Sequence, residues 1–198
     1  MINLKAGPCL LLAAALCITG CGKQERNEAL QLAKALNEKK ADFAKADMIE
    51  KDFTDNARAW CGGITANGAG RGVELDQNAS VAAQLAKSAV AASAQLSQVR
   101  QAISGVTLQA EEPVNVRNAL TTQLTNRQRM LQDMRSWLEQ SSTQFLEYKN
   151  TKAYVGDTYP DGIGKLNTLL QTYKVPEDTV GAALANLKSK YSLKDSEL

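Results

Sequence analysis

The chain has 198 residues, a formal net charge of +2, 5% aromatic residues, four prolines and no histidine. That length can carry one domain with a real core, and the near-neutral balance excludes the concentrated basic face that nucleic acid demands. Without histidine it lacks the usual general base at neutral pH and the commonest metal ligand, while abundant Ala, Leu, Gln and Lys favour helix over strand.

The N-terminus has the three parts of an export signal: one positive charge at Lys5, an apolar run over residues 9–18, and a small-residue exit at Thr19-Gly20. The alternative is a short uncleaved membrane anchor, but the run is well below the ~20 residues a spanning helix needs. Ile18-Thr19-Gly20-Cys21 resembles the lipobox of bacterial lipoproteins: a branched aliphatic residue, a small residue, Gly or Ala, then Cys. The resemblance covers residues 1–21. It implies cleavage between Gly20 and Cys21, a diacylglyceryl thioether on Cys21, and N-acylation of the new terminus. A single acyl chain anchors weakly, whereas two or three hold stably. In that family an aspartate after the cysteine resembles an inner-membrane retention signal. Gly22 stands there instead, which points in a Gram-negative cell to the outer membrane, facing the periplasm. A Gram-positive cell would offer only one membrane. Cleavage removes Lys5, Cys9 and Cys17 and leaves residues 21–198 as one nearly neutral domain.

Three long helices are expected in that domain. The first spans about residues 24–60, with Ala29, Leu32, Leu36, Lys40, Phe43, Ala46, Glu50, Phe53, Ala57 and Trp60 along one stripe. Lys40 and Glu50 interrupt the stripe, either snorkelling or marking where the partner helix thins out. Gly62-Gly63 is expected to stop this helix, and 62–72 reads as a flexible connection. Gly68, Gly70 and Gly72 follow a helix rather than a strand and lack a Gly-Lys-Ser/Thr, so a plain loop is the better reading than a phosphate cradle.

The second helix spans about 75–104, on a heptad-type, coiled-coil-like seam of Leu75, Asn78, Ala82, Leu85, Ala89, Ala92, Leu96, Val99 and Ile103. Its small residues let neighbours approach closely, either as a central helix of its own chain or as a face for another protein; Gly105 is its stop. The third spans about 116–152, with Leu120, Leu124, Arg127, Leu131, Met134, Leu138, Ser141, Phe145 and Tyr148 on its seam and Met130 and Trp137 beside it. The tail reads as two short amphipathic helices, about 163–174 and 177–191, and a frayed end at 194–198. The expected fold is therefore all-α: an elongated antiparallel three-helix bundle with a short C-terminal helical hairpin.

Chemistry is sparse. Cys61, in Trp60-Cys61-Gly62-Gly63, is a lone thiol in an oxidising envelope and a candidate for an intermolecular disulfide; the alternative is a small buried residue. Asp157, Asp161 and Gly162 resemble a fragment of a calcium loop, but Tyr159 and Thr168 occupy ligand positions and Pro160 intrudes, so a turn is the better reading. Asp133, Glu139 and Glu147 form no regular inward pair. No catalytic residue, metal ligand or cofactor site is assigned. The expected role is a non-enzymatic binding or scaffold module in the bacterial cell envelope. It would be held to the membrane by its lipid and would meet an envelope protein or copies of itself. The alternative is a carrier of a small apolar ligand, which would need an enclosed cavity of ~300 Å³ or more between the helices.

Overall fold

The computed structural model describes residues 9–67, 73–151 and 179–198, together with 165, 168 and 169. Every regular element among the described residues is helical: α1 (Cys9–Glu38), α2 (Lys40–Asn67), α3 (Val73–Ser104), α4 (Glu111–Thr151), α5 (Thr179–Tyr191) and a 3-10 turn, Asp195–Glu197. The loop at 68–72, the calcium-like fragment at 157–162 and most of the expected helix at 163–174 lie outside the described residues. Leu169, from that segment, is buried in the core.

The expected first helix is two helices, parted at Lys39. The break is slight: Lys39 N still donates to Ala35 O at 3.2 Å, and Phe43 N donates to Lys39 O at 2.9 Å. A seven-residue stripe drifts ~20° per heptad on a straight helix, and a break is one way to keep it facing the core. Ala29, Leu32, Leu36, Phe43, Ala46, Phe53 and Ala57 are all buried across the break, while Lys40 is exposed. Gly62-Gly63 does not stop α2, which continues to Asn67. Cys61 and Ile64 are buried on either side of the glycines, and their packing outweighs the glycine penalty of roughly 1 kcal/mol per residue.

The seams of α3 and α4 are buried as expected, with two exceptions. Ala79 takes the buried place expected for Asn78, which is half-exposed and accepts a hydrogen bond from Trp60 Nε1 at 3.1 Å; Tyr148 is half-buried. Helix α4 begins at Glu111, five residues earlier than expected, because Pro113 lies within its first turn, where a missing N–H costs nothing. Gly105 does close α3, its N–H returning to Gln101 O at 3.0 Å.

Cross-links fix the pairing of α3 and α4. Asp76 meets Lys149, Ala79 O accepts from Ser142, Ser93 O accepts from Gln128, and Arg100 donates to Thr125. As one number rises the other falls, so the two helices run antiparallel. The core between the helices is closed by Phe53, Leu96, Ile103, Leu131, Met134 and Leu138, each of which contributes about 1.5–3 kcal/mol on burial.

Candidate functional site

Among the described residues, four regions carry polar or reactive groups: the second half of α1 with the C-terminus, the middle of α2 with α4, the end of α2, and the outer crevice between α3 and α4.

Gly20 and Cys21 fall within α1, and side chains are described from Gly22 onward. The folded domain starts almost at once, since Glu28 and Ala29 are already buried. The Glu28 carboxylate accepts the backbone N–H groups of Gln109 at 2.6 Å and Ala110 at 2.7 Å, and Gln24 Nε2 at 3.0 Å. Those amides precede α4, so a side chain from α1 caps a helix more than 80 positions away. The Ala110 amide, then Gln24 and the Gln109 amide, hold the Glu28 carboxyl below its ordinary range.

The C-terminus docks at this same end. Tyr191 Oη donates to Glu25 at 2.9 Å, Arg26 pairs with Glu197 at 2.7 Å, and Lys190 pairs with Glu112. Burial, then Glu25, pushes the Tyr191 phenol up to about 12. Residues 194–198 are thus tied down rather than frayed. Helix α5 closes in a Schellman motif: Leu193 N donates to Lys188 O at 3.0 Å, and Ser192 takes the left-handed conformation at φ 50°. Leu193 then inserts into the core. Val180, Leu184 and Leu187 are buried, as the amphipathic pattern of 177–191 requires.

In the middle of the molecule the two seam charges meet. Arg127, 7% exposed, donates from Nε to Glu50 at 2.8 Å and from Nη2 to Asp47 at 2.5 Å. Burial pushes the Glu50 carboxyl above its ordinary value, and the Arg127 guanidinium pulls it back. The two carboxylates together keep Arg127 charged despite its burial. Glu50 was visible as an interruption of one seam and Arg127 as a member of another; the signal missed was that they neutralise each other.

At the far end Cys61 is 0% exposed, and burial pushes its thiol up to about 12. A thiol so placed is neither a thiolate at neutral pH nor within reach of another chain unless the end of α2 opens. Beside it Trp60 lies 6.1 Å from Trp137, tilted by 58°, and 6.0 Å from Phe145 in an edge-on contact. These rings pack on one another as a joint between α2 and α4.

Asp133, Glu139 and Glu147 all point to solvent on α4, Glu139 paired with Arg135 at 2.8 Å. Among the described residues no cluster of three His, Cys, Asp or Glu side chains could hold a metal ion. Nor is any described helix long and apolar enough to cross a membrane. The concavities found on α3 and α4 are open grooves. One of about 330 Å³ is lined by Arg100, Gln101, Thr121, Thr125, Asn126 and Arg129 among others, and another of about 330 Å³ by Ser93, Ser97, Gln128, Gln132 and Arg135 among others. Comparisons of the chain with family models, with curated proteins and with solved structures find no match.

Proposed function

We propose that this chain is a lipid-anchored, non-enzymatic binding or scaffold module of the bacterial cell envelope. In this reading Cys21 carries the lipid and the domain is an elongated antiparallel three-helix bundle. Helices α1 and α2 act as one long column beside α3 and α4, and a short C-terminal helical hairpin covers the anchored end. In a Gram-negative cell the module faces the periplasm from the outer membrane.

The observation that carries the reading is the closeness of the lipobox to the packed domain. Only a few residues separate Cys21 from the buried Glu28 and Ala29. The tether has almost no slack, so the lipid fixes where the helices stand. The stapling of α5 and the 3-10 turn onto Glu25, Arg26 and Glu112 favours the same picture, since it stiffens the end nearest the membrane. Helix α4, of 41 residues, reaches ~60 Å, which would present the α3–α4 face well into the aqueous envelope. The carrier alternative draws no support from the described grooves, which are open to solvent rather than enclosed.

Photoreactive residues at exposed positions of α3, such as Gln84 and Lys87, tested in intact cells with mass spectrometry of the adducts, examine the binding role. A dominant envelope-protein adduct is expected for a binding module, and self-adducts for a homo-oligomeric scaffold. Uniform labelling of unrelated proteins would contradict both.

A further inference from the structure

We propose that the crevice between the last turns of α3 and the middle of α4 binds an acidic carbohydrate: a chain ligand that carries carboxylate or phosphate groups among hydroxyls. The proposal adds a ligand class to the binding-module reading and does not depend on the lipid tether.

Arg100 of α3 and Arg129 of α4 both line this crevice. Arg100 Nη1 donates to Thr125 Oγ1 at 3.3 Å, and Arg129 stands one helical turn beyond Thr125 on the same groove. Elsewhere the described arginines are engaged. Arg26, Arg58, Arg127 and Arg135 sit in ion pairs, and Arg117 donates to Val106 O at 2.8 Å. Among the described residues Arg100 and Arg129 are in no such ion pair, and no described carboxylate lines their groove. Asp133 lies one turn further along α4 and does not line it.

The hydroxyls supply the other half of the argument. Ser104 donates to Gln101 O at 3.1 Å, Thr121 to Asn118 O at 3.0 Å, and Thr125 to Thr121 O at 2.8 Å. Their protons are spent on the backbone, so the hydroxyl oxygens lining the groove keep acceptor capacity, that of Thr125 partly used by Arg100. Such a lining accepts hydrogen bonds from ligand hydroxyls, while the arginines donate to oxyanions. A bare anion would use only the arginines; a neutral sugar would use only the hydroxyls and amides. The adjoining groove around Ser93, Gln128 and Arg135 continues the track along the same two helices, as a chain ligand requires. Two arginines are too few for nucleic acid.

The test uses the full chain in non-ionic detergent at low salt and a fluorescein-labelled tetragalacturonate, read by anisotropy. Saturable binding is expected. Unlabelled tetragalacturonate should compete, whereas maltotetraose, inorganic phosphate and tetra-aspartate at the same concentration should not. Arg100→Gln with Arg129→Gln should bind about tenfold more weakly or worse, with an unchanged helical circular dichroism spectrum. Arg58→Gln, on α2, should bind as the parent does. Absence of saturable binding, equal binding by the double variant, or equal competition by phosphate or tetra-aspartate would overturn the proposal. Failure here, with Cys21-dependent membrane retention intact, would leave the tethered-module reading standing.

Discussion

Arg127, on the core face of α4, is held by two carboxylates of α2 at once: Glu50 at 2.8 Å and Asp47, one turn away, at 2.5 Å. The arrangement fixes how far α2 has slid along α4. Arg127 and Glu50 are largely withdrawn from water while Asp47 remains half-exposed, so the cluster is only partly desolvated. Removing one partner should therefore cost less than in a fully dry pair. Arg127→Met is expected to lower stability by about 2–4 kcal/mol by leaving Glu50 buried and unpaired. Adding Glu50→Leu should recover most of that loss. Urea unfolding of the four members of the cycle measures it; a single-variant cost below about 0.5 kcal/mol would show the pair to be peripheral.

Glu28 and Glu50 should respond to pH in opposite directions. The folded pKa of Glu28 is depressed, chiefly by the Ala110 amide. Its stabilising share is present above the unfolded value near 4.5 and is lost as pH falls through its folded value. The folded pKa of Glu50 is raised by burial. Its share is present below 4.5 and is lost as pH rises through its folded value. Glu28→Gln should thus lower stability at pH 7 and flatten the loss seen below pH 4.5. Denaturation curves at pH 3 and pH 7 check this. An unchanged pH dependence in Glu28→Gln would mean that the cap on α4 contributes nothing.

Gly63 offers a gain. It lies inside α2, and a Cβ added there meets nothing within 4 Å. Gly63→Ala should stabilise the fold by about 0.5–1 kcal/mol, or roughly 1–4 °C in Tm, through helix propensity and a less flexible unfolded chain. Calorimetry would show it. A lower Tm would mean that the helix does not run through this position.

Cys61 should be chemically silent. Full burial and a thiol pushed up to about 12 leave almost no thiolate at pH 8. Iodoacetamide should label Cys61 at least a hundredfold faster in 6 M urea than in buffer. Rapid labelling of the folded protein would show that the end of α2 opens readily, and would revive an intermolecular disulfide.

The periodic part of the fold was legible in the residues. The seam of α4 from Leu120 to Phe145 and that of α3 from Ala82 to Ile103 are buried position for position, because an apolar stripe at helical spacing has only one place to go. Boundaries were less legible, since local signals compete with tertiary packing. Gly62-Gly63 reads as a stop, yet buried Cys61 and Ile64 carry the helix through. The third helix is expected from about residue 116, yet it starts at Glu111, where Glu28 caps the amides just before it. The polar cross-links were the least legible. Nothing in the neighbourhood of Glu28, Glu50 or Arg127 along the chain names its partner, because each contact depends on how two helices are placed against each other.

The lipid on Cys21 is the claim on which the account chiefly rests. The most direct measurement compares parent and Cys21→Ser by membrane fractionation, with intact mass of the membrane-bound species. The parent should stay with the membrane at high salt, begin at Cys21, and weigh more than residues 21–198 by a diacylglyceryl group with or without an N-acyl chain, while Cys21→Ser should lose both the lipid mass and the retention. A Cys21→Ser protein that remains in the membrane fraction as firmly as the parent, or a parent that begins at Met1 and carries no lipid, would contradict the account.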